Sequence, residues 1–318
     1  PLQLTLAMLA AALTAVVAVS VEKDRRTLEL LLVSRLSDAQ LVVGKVLGSA
    51  VRVLLMLLAA VPVFAIAALY GGIEPLQVAR VFAVTVLAVA VAVVPVALAS
   101  LLAVAALGVT SITGERDRGC LDLLLVSDLD PAEFVWGKLW GVLGSGREMV
   151  LLPLLLCGLL VPLGLATVEQ GLALAAGLAL LLFFAATLGI YAGLSHPVSR
   201  QAIAVALGTV AFLCVGVATA MRIMVAFASS FELQLAPFLA VIVGGAVGLY
   251  AALSARNPST AVAWAAALLP ALTFVAITDF LQGGTLQVLL IVAAAYGFAI
   301  LALLVPSIGA FDQLTGRT

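Results

Sequence analysis

Most of the charged residues in this chain lie in two copies of one 27-residue motif. The copies occupy positions 22–48 and 115–141, at an offset of 93 residues, and 15 of their 27 positions are identical without a gap. Together they hold 18 of the 31 Asp, Glu, Lys and Arg residues of the chain. Because charged side chains are rarely buried without a partner, a chain that repeats its charge in this way presents the same motif to water twice.

The spacing of these charges predicts a helix at the start of each copy. In the first copy Glu22 lies three residues before Arg25, and Arg25 lies four before Glu29, so opposite charges adjoin on one helical face. The equivalent residues of the second copy are Glu115, Arg118 and Asp122. We therefore predict helices over Glu22–Val33 and Glu115–Val126, and we interpret both as docking elements for another protein. The alternative interpretation is an elbow at the membrane surface that only fixes topology.

A capped turn and a second helix are predicted in the rest of each copy. Ser37 and Gln40 have the spacing of a capping box, and Asp130 followed by Pro131 is a stronger helix start. The second helix would enter the membrane at a Gly-Lys pair, whose lysine can extend to the headgroups and whose glycines allow close helix packing. The residues assigned to the turn and to this membrane boundary are Ser37, Gly44, Lys45, Asp130, Gly137 and Lys138.

The Gly-Lys pairs do not form nucleotide-binding loops. Such a loop needs Gly five residues before its second Gly, and Ser or Thr after the Lys. Ala39 and Ala132 occupy the first of these positions, and Val46 and Leu139 occupy the last. The chain has one histidine, His196, and three scattered cysteines, so the sequence predicts no metal site either. We expect no catalytic residue and no cofactor bound by this chain.

Composition indicates an integral membrane protein. Hydrophobic residues make up 65% of the chain and charged residues 10%, whereas a soluble domain has about 25% charged residues. The apolar runs are long enough to cross a bilayer, and their continuity favours helices over a barrel. We predict one all-α transmembrane domain over residues 1–318. Its nine predicted spans are residues 2–21, 46–70, 80–112, 142–165, 171–194, 202–226, 236–254, 260–279 and 285–305.

The distribution of lysine and arginine predicts the orientation of these spans. Both motif copies, Arg200, Arg256 and the C-terminus fall on one side, and Glu74, Glu169, Glu232 and Asp279 fall on the other. The bias of lysine and arginine towards the cytoplasm places the first side there. Because Pro1 would then begin a span from the outside without a leader, we expect the natural chain to continue upstream with at least one further span.

Three further charged residues lie in apolar segments. Arg147 and Glu148 interrupt the start of the fourth predicted span, and Arg222 lies near the outer end of the sixth. Placement at the membrane interface accounts for all three, and a position in a substrate path is the alternative. Because we expect them near span ends, the sequence offers little for ion-coupled transport, which uses ionisable groups near mid-membrane.

At the repeated motif the sequence resembles the permease subunits of ABC transporters of the type-two, exporter-like superfamily. The first copy carries the family's acidic-basic run, then Thr-Leu-Glu-Leu-Leu at 27–31, a Leu-Ser turn at 36–37 and Gly-Lys at 44–45. The second copy keeps the run at 115–119, Leu-Asp at 121–122 and Gly-Lys at 137–138, with Cys120 in place of the usual threonine. Two copies in one chain depart from the single motif of the family.

This resemblance implies a role in transport. In the family the segment lies between two spans on the cytoplasmic side and docks against the ATPase subunit as a coupling helix. The chain would then be a multi-pass permease subunit of the cell (inner) membrane, surrounded by lipids, paired with a second permease subunit, and served by an ATPase that binds ATP and Mg²⁺. A secondary transporter and a non-transporting membrane scaffold are the alternatives. The net charge of −1 gives no basic field for nucleic acid.

Overall fold

The structure is a computed structural model that describes residues 75–119, 130–162, 164–227, 231–254, 259–309 and 311. The first motif copy and the predicted spans 2–21 and 46–70 lie outside the described residues. The chain divides into two compact units, Pro1–Val96 and Ala97–Thr318. The packing reported below lies within the second unit.

The described part of the chain is helical and contains no strand. Its α-helices, numbered in chain order, are α1 (Pro75–Asp117), α2 (Pro131–Ser145), α3 (Arg147–Leu159), α4 (Val168–Ser195), α5 (Ser199–Ala211), α6 (Val217–Phe227), α7 (Phe231–Leu253), α8 (Thr260–Leu281) and α9 (Thr285–Gly309). A π-helical segment, Phe212–Gly216, joins α5 to α6. The all-α prediction is confirmed for these residues.

Six helical segments are long and apolar enough to cross a membrane, as expected for a multi-pass membrane protein. They are Val93–Asp117, Val168–Ser195, Ser199–Met224, Leu235–Leu253, Thr260–Leu281 and Thr285–Gly309. The first lies within α1, as predicted for span 80–112, and the other five coincide with the last five predicted spans. The sequence located these segments because short polar turns separate long apolar runs.

The predicted span 142–165 is not one straight helix, although α2 and α3 together are long and apolar enough for one bent span. Residues 142–145 end α2, and α3 begins only at Arg147, with a bend of 63° between the two helices. The 13 residues of α3 cover only about 20 Å, less than the ~30 Å of a hydrocarbon layer. Gly146 occupies the bend outside helical geometry, with φ −91° and ψ 14°. Its buried backbone lies against Leu107 of α1, where a methyl group on Gly146 would come within 3.1 Å of Leu107 Cδ1.

Glycines bring α1 and α4 into backbone contact. A methyl group at Gly108 would lie 2.8 Å from the carbonyl oxygen of Ala186 and 2.9 Å from Cα of Gly189. One turn further along α4, a methyl group at Gly193 would lie 3.0 Å from Cβ of Ile112. Small residues four apart, such as Gly189 and Gly193, allow this approach in membrane helices. The close packing positions the end of α1 directly against the end of α4.

Contacts between helix ends place several of them at one end of the second unit. The hydroxyl of Tyr191, near the end of α4, donates to the carbonyl oxygen of Leu253, which ends α7, at 2.7 Å. Phe134 at the start of α2 packs on Phe311, just after α9, with ring centroids 5.2 Å apart. Because only three residues separate α4 from α5 and only six separate α7 from α8, the starts of α5 and α8 lie at this same end. We call it the motif end, because the second motif copy lies there.

Candidate functional site

The first residues of the second motif copy complete the long helix α1. Glu115, Arg116 and Asp117 form its last turn, and the N–H of Gly119 donates to the carbonyl oxygen of Arg116 at 3.0 Å. Gly119 has φ +69°, a left-handed conformation that costs glycine little and ends a helix. The separate helix predicted over Glu115–Val126 is therefore wrong at its start. Asp122 and the rest of residues 120–129 lie outside the described residues.

Lys138 turns towards the first residue of its own motif copy. Its Nζ forms an ion pair with Oε1 of Glu115 and donates to the carbonyl oxygen of Ser111 at 3.3 Å. The same ammonium lies 5.5 Å from the centre of the Phe134 ring. The side chain of Lys138 is 18% exposed and that of Glu115 is 34% exposed. This lysine thus joins α2 to α1, where the sequence predicted a side chain that extends to the lipid headgroups.

Two residues next to Glu115 join α1 to the pair formed by α4 and α5. Nη1 of Arg116 donates to the carbonyl oxygen of Gly193 at 3.2 Å, and the hydroxyl of Ser199 donates to Oδ2 of Asp117 at 2.7 Å. A guanidinium at the last turn of α4 also interacts favourably with the negative end of that helix dipole. We call Glu115, Arg116, Asp117, Lys138 and Ser199 the charged junction. It connects the ends of α1 and α4 and the start of α5 to the middle of α2.

Sequence reasoning missed the role of Arg116 and Asp117. The charge spacing within one helix favoured Glu115, Arg118 and Asp122, whereas the contacts of Arg116 and Asp117 reach residues 77 and 82 positions away. One signal was present, because Asp117 is identical to Asp24 in the first copy and position 116 keeps a positive charge. Arg118 lies exposed on the turn that follows.

The charged junction holds polar atoms without partners among the described residues. Oε2 of Glu115 and both Nε and Nη2 of Arg116 are buried and make no hydrogen bond there. A buried polar group left unpaired costs about 1–3 kcal/mol.

The predicted turn residues are only partly placed as expected. Asp130 precedes α2 with extended backbone angles, and its carbonyl oxygen accepts from the N–H of Phe134 at 3.0 Å, but its side chain makes no cap hydrogen bond. Pro131 opens the helix, as predicted. A methyl group on Gly137 or Gly141 would meet nothing within 4 Å. The close packing predicted for these two glycines is thus absent from the described contacts.

The three intramembrane charges lie at two different places. Arg222 is exposed in the middle of α6, close to the end of the segment Ser199–Met224 that lies away from the motif end. Arg147 and Glu148 are half-buried in the first turn of α3, directly after the bend. Gly146, the residue before them, lies against Leu107 and Val104 in the interior of α1.

Among the described residues, no group of three His, Cys, Asp or Glu side chains could hold a metal ion. His196 is buried at the end of α4, with Nδ1 3.2 Å from the carbonyl oxygen of Ala192. It therefore helps to finish that helix. Comparison of the chain with protein-family models, with curated proteins and with solved structures gave no match.

Proposed function

We propose that the chain is the membrane-spanning permease subunit of an ATP-driven ABC transport complex. The observation that supports this most is the charged junction, in which the motif that resembles a coupling segment contacts four helices. A motif that only lay exposed on the protein surface would not need these contacts with other helices. The proposal also draws on the resemblance of both motif copies to the family, quoted above from their residues.

The segment that connects α1 to α2, residues 118–130, is the element that a partner would move. The pair of Lys138 with Glu115 fixes α2 to the end of α1, so both helices follow when this segment is displaced. Arg116 and Asp117 then act on α4 and α5 through Gly193 and Ser199. In this coupling mechanism a displacement of the segment that connects α1 to α2 passes through these contacts to the α4–α5 pair.

The charged junction changes the roles that we assign within the motif. Glu115 forms an ion pair with Lys138 and has a positioning role. We therefore assign the contact with a partner to Arg118 and Asp122. By the same logic Arg25 and Glu29 are the contact residues of the first copy. ATP and Mg²⁺ would be bound by the separate ATPase, whose force the junction receives. A second permease subunit, the same or different, completes the complex in the cell (inner) membrane, with both motifs and the C-terminus cytoplasmic.

A secondary transporter is the second candidate, because of one observation. Arg147 and Glu148 follow Gly146, which lies against residues 10 and 13 positions before the end of α1, and ion-coupled transporters keep ionisable groups near mid-membrane. Dependence on ATP distinguishes the two functions. A non-transporting scaffold would show neither ATP-dependent nor ion-dependent movement of a substrate.

The test of the proposed function is formation of a specific complex with an ABC ATPase. The tagged chain is coexpressed with each ABC ATPase of the same genome, purified in detergent, and assayed for bound ATPase and ATP hydrolysis. We expect one ATPase to copurify, and the double variants Glu22→Lys/Glu29→Lys and Glu115→Lys/Asp122→Lys to lose it. Glu169→Lys, an exposed charge at the other end of α4, is the matched control and should keep it. An ATPase retained at wild-type level by both double variants would contradict the proposal.

A further inference from the structure

We propose that Tyr191 is a positioning residue that passes a displacement of the charged junction from α4 to α7, so that α7 moves with the second motif copy. This inference rests on the proposed transport function, in which the junction receives the force of a partner. Its test needs no ATPase, so the two proposals are tested separately.

The last turn of α4 contacts α1 on one face and α7 on the other. Nη1 of Arg116 donates to the carbonyl oxygen of Gly193 at 3.2 Å, and the hydroxyl of Tyr191 donates to the carbonyl oxygen of Leu253 at 2.7 Å. Gly193 also lies against Ile112 of α1. Because residues two apart on an α-helix point about 200° apart, Tyr191 lies on the opposite face from Gly193. The end of α4 is thus held between α1 and α7.

The contact on the α1 side is between backbones. A methyl group at Gly189 would lie 2.9 Å from Cα of Gly108, and a methyl group at Gly193 would lie 3.0 Å from Cβ of Ile112. Close-packed groups of this kind transmit a displacement, because no space is left to absorb it. A movement of the end of α1 therefore moves the last turn of α4.

A buried hydrogen bond holds the end of α7 to α4. Tyr191 is fully buried and Leu253 is 2% exposed, so water does not replace the bond between them. The carbonyl of Leu253 belongs to the last turn of α7, where the helix itself supplies no donor. A buried carbonyl that loses its donor is unfavourable. The end of α7 therefore follows the hydroxyl of Tyr191.

The packing of α7 makes it easy to displace. Of the six segments that can cross a membrane in the described part of the chain, Leu235–Leu253 has the smallest buried share, 6% against 33–50% in the others. Elements with few buried contacts move at the lowest cost in free energy. A displacement that reaches Leu253 therefore moves α7 more readily than it would move a span of the packed interior.

Hydrogen exchange followed by mass spectrometry tests this link in the purified chain. The measured quantity is the exchange rate of the amides of residues 245–253, at the end of α7, divided by that of residues 178–186, in the middle of α4. The division removes the effect of global unfolding. Arg116→Met removes the donor on α1, and its effect is compared in chains with and without the hydroxyl of Tyr191.

Two substitutions of tyrosine provide the comparison. Tyr191→Phe removes the hydroxyl that contacts α7. Tyr296→Phe is the matched control, because Tyr296 is also buried and its hydroxyl lies 2.8 Å from Oγ1 of Thr273, between α8 and α9. Monodisperse elution shows that each variant is folded, and Arg116→Gln replaces Arg116→Met where that variant does not pass.

We expect Arg116→Met to raise the ratio about threefold or more when Tyr191 is present, and by less than about 1.5-fold in the Tyr191→Phe chain, because residues in one network are not additive. The effect should persist in the Tyr296→Phe chain. An effect of equal size with and without the Tyr191 hydroxyl, or no effect in either chain, would overturn the role of Tyr191.

The proposed function is decided by a different measurement, the copurification of an ATPase. An exchange effect that requires Tyr191 in a chain that binds no ATPase would retain the link and reject the ABC complex. A chain that binds an ATPase but shows no dependence on Tyr191 would retain the complex and reject the link.

Discussion

Lys138 and Glu115, 23 residues apart in the chain, form an ion pair that joins α2 to the end of α1 within the second motif copy. The pair joins the lysine of the Gly-Lys element to the first acid of the acidic-basic run. The ion pair is therefore a structural reason for the spacing of these two residues in the motif.

The first prediction concerns the stability of this pair. Lys138→Met leaves Glu115 half-buried without its partner, and we expect a loss between the ~0–1 kcal/mol of an exposed pair and the ~3–5 kcal/mol of a buried one. Thermal unfolding of the purified protein measures it. The double exchange Glu115→Lys/Lys138→Glu should recover most of the lost stability. If the double exchange loses as much stability as Glu115→Lys and Lys138→Glu lose together, the two side chains do not interact.

The second prediction concerns the contact between α1 and α4. Gly108→Ala would place a methyl group 2.8 Å from the carbonyl oxygen of Ala186, a backbone atom that cannot move alone. We expect a destabilisation of about 1–3 kcal/mol, as for an overpacked core.

Gly208→Ala is the matched control, because Gly208 lies within a helix and a methyl group there meets nothing within 4 Å. It should be neutral or stabilising by up to about 1 kcal/mol, from the higher helix propensity of alanine. Equal unfolding temperatures for the two variants would contradict the close approach of α1 to α4.

The amino-acid sequence predicted the apolar helices well, because their length and the polar turns between them are local properties. The turn at Gly119 was also readable in principle, since glycine after a basic last turn is a common helix end. The bend at Gly146 was not, because a glycine inside an apolar run is compatible with a continuous span. The contact between Lys138 and Glu115 could not be predicted from the sequence for another reason. A lysine near a membrane boundary can reach either the headgroups or an acidic side chain, and only the position of α1 decides between them.

The third prediction concerns the link between α1 and α5. The hydroxyl of Ser199 lies 2.7 Å from Oδ2 of Asp117, so cysteines at these two positions should form a disulfide on mild oxidation. The pair Asp117→Cys/Arg200→Cys is the control, because Arg200 is exposed and points about 100° away on the same helix. Cross-linking is read as a mobility shift after proteolysis between residues 118 and 198. Equal yields in the two pairs would show that Asp117 does not face Ser199.

The fourth prediction concerns topology. Cysteines at positions 38, 131 and 257, in a chain without the three native cysteines, should resist an impermeant thiol reagent in intact cells, because lysine and arginine bias places the motif end in the cytoplasm. Gln282→Cys, exposed at the opposite end of α8, should react. Labelling at any of the first three positions from outside would reverse or break the assigned orientation.

The central claim is that the charged junction transmits the work of a separate ATPase to the membrane helices. Its most direct test is ATP hydrolysis by that ATPase in proteoliposomes, measured with the wild-type chain, with Glu115→Lys, with Lys138→Glu and with the double exchange. We predict that each single variant still inserts but loses most of the permease-dependent stimulation of hydrolysis, and that the double exchange restores it. Wild-type stimulation in both single variants would contradict the account.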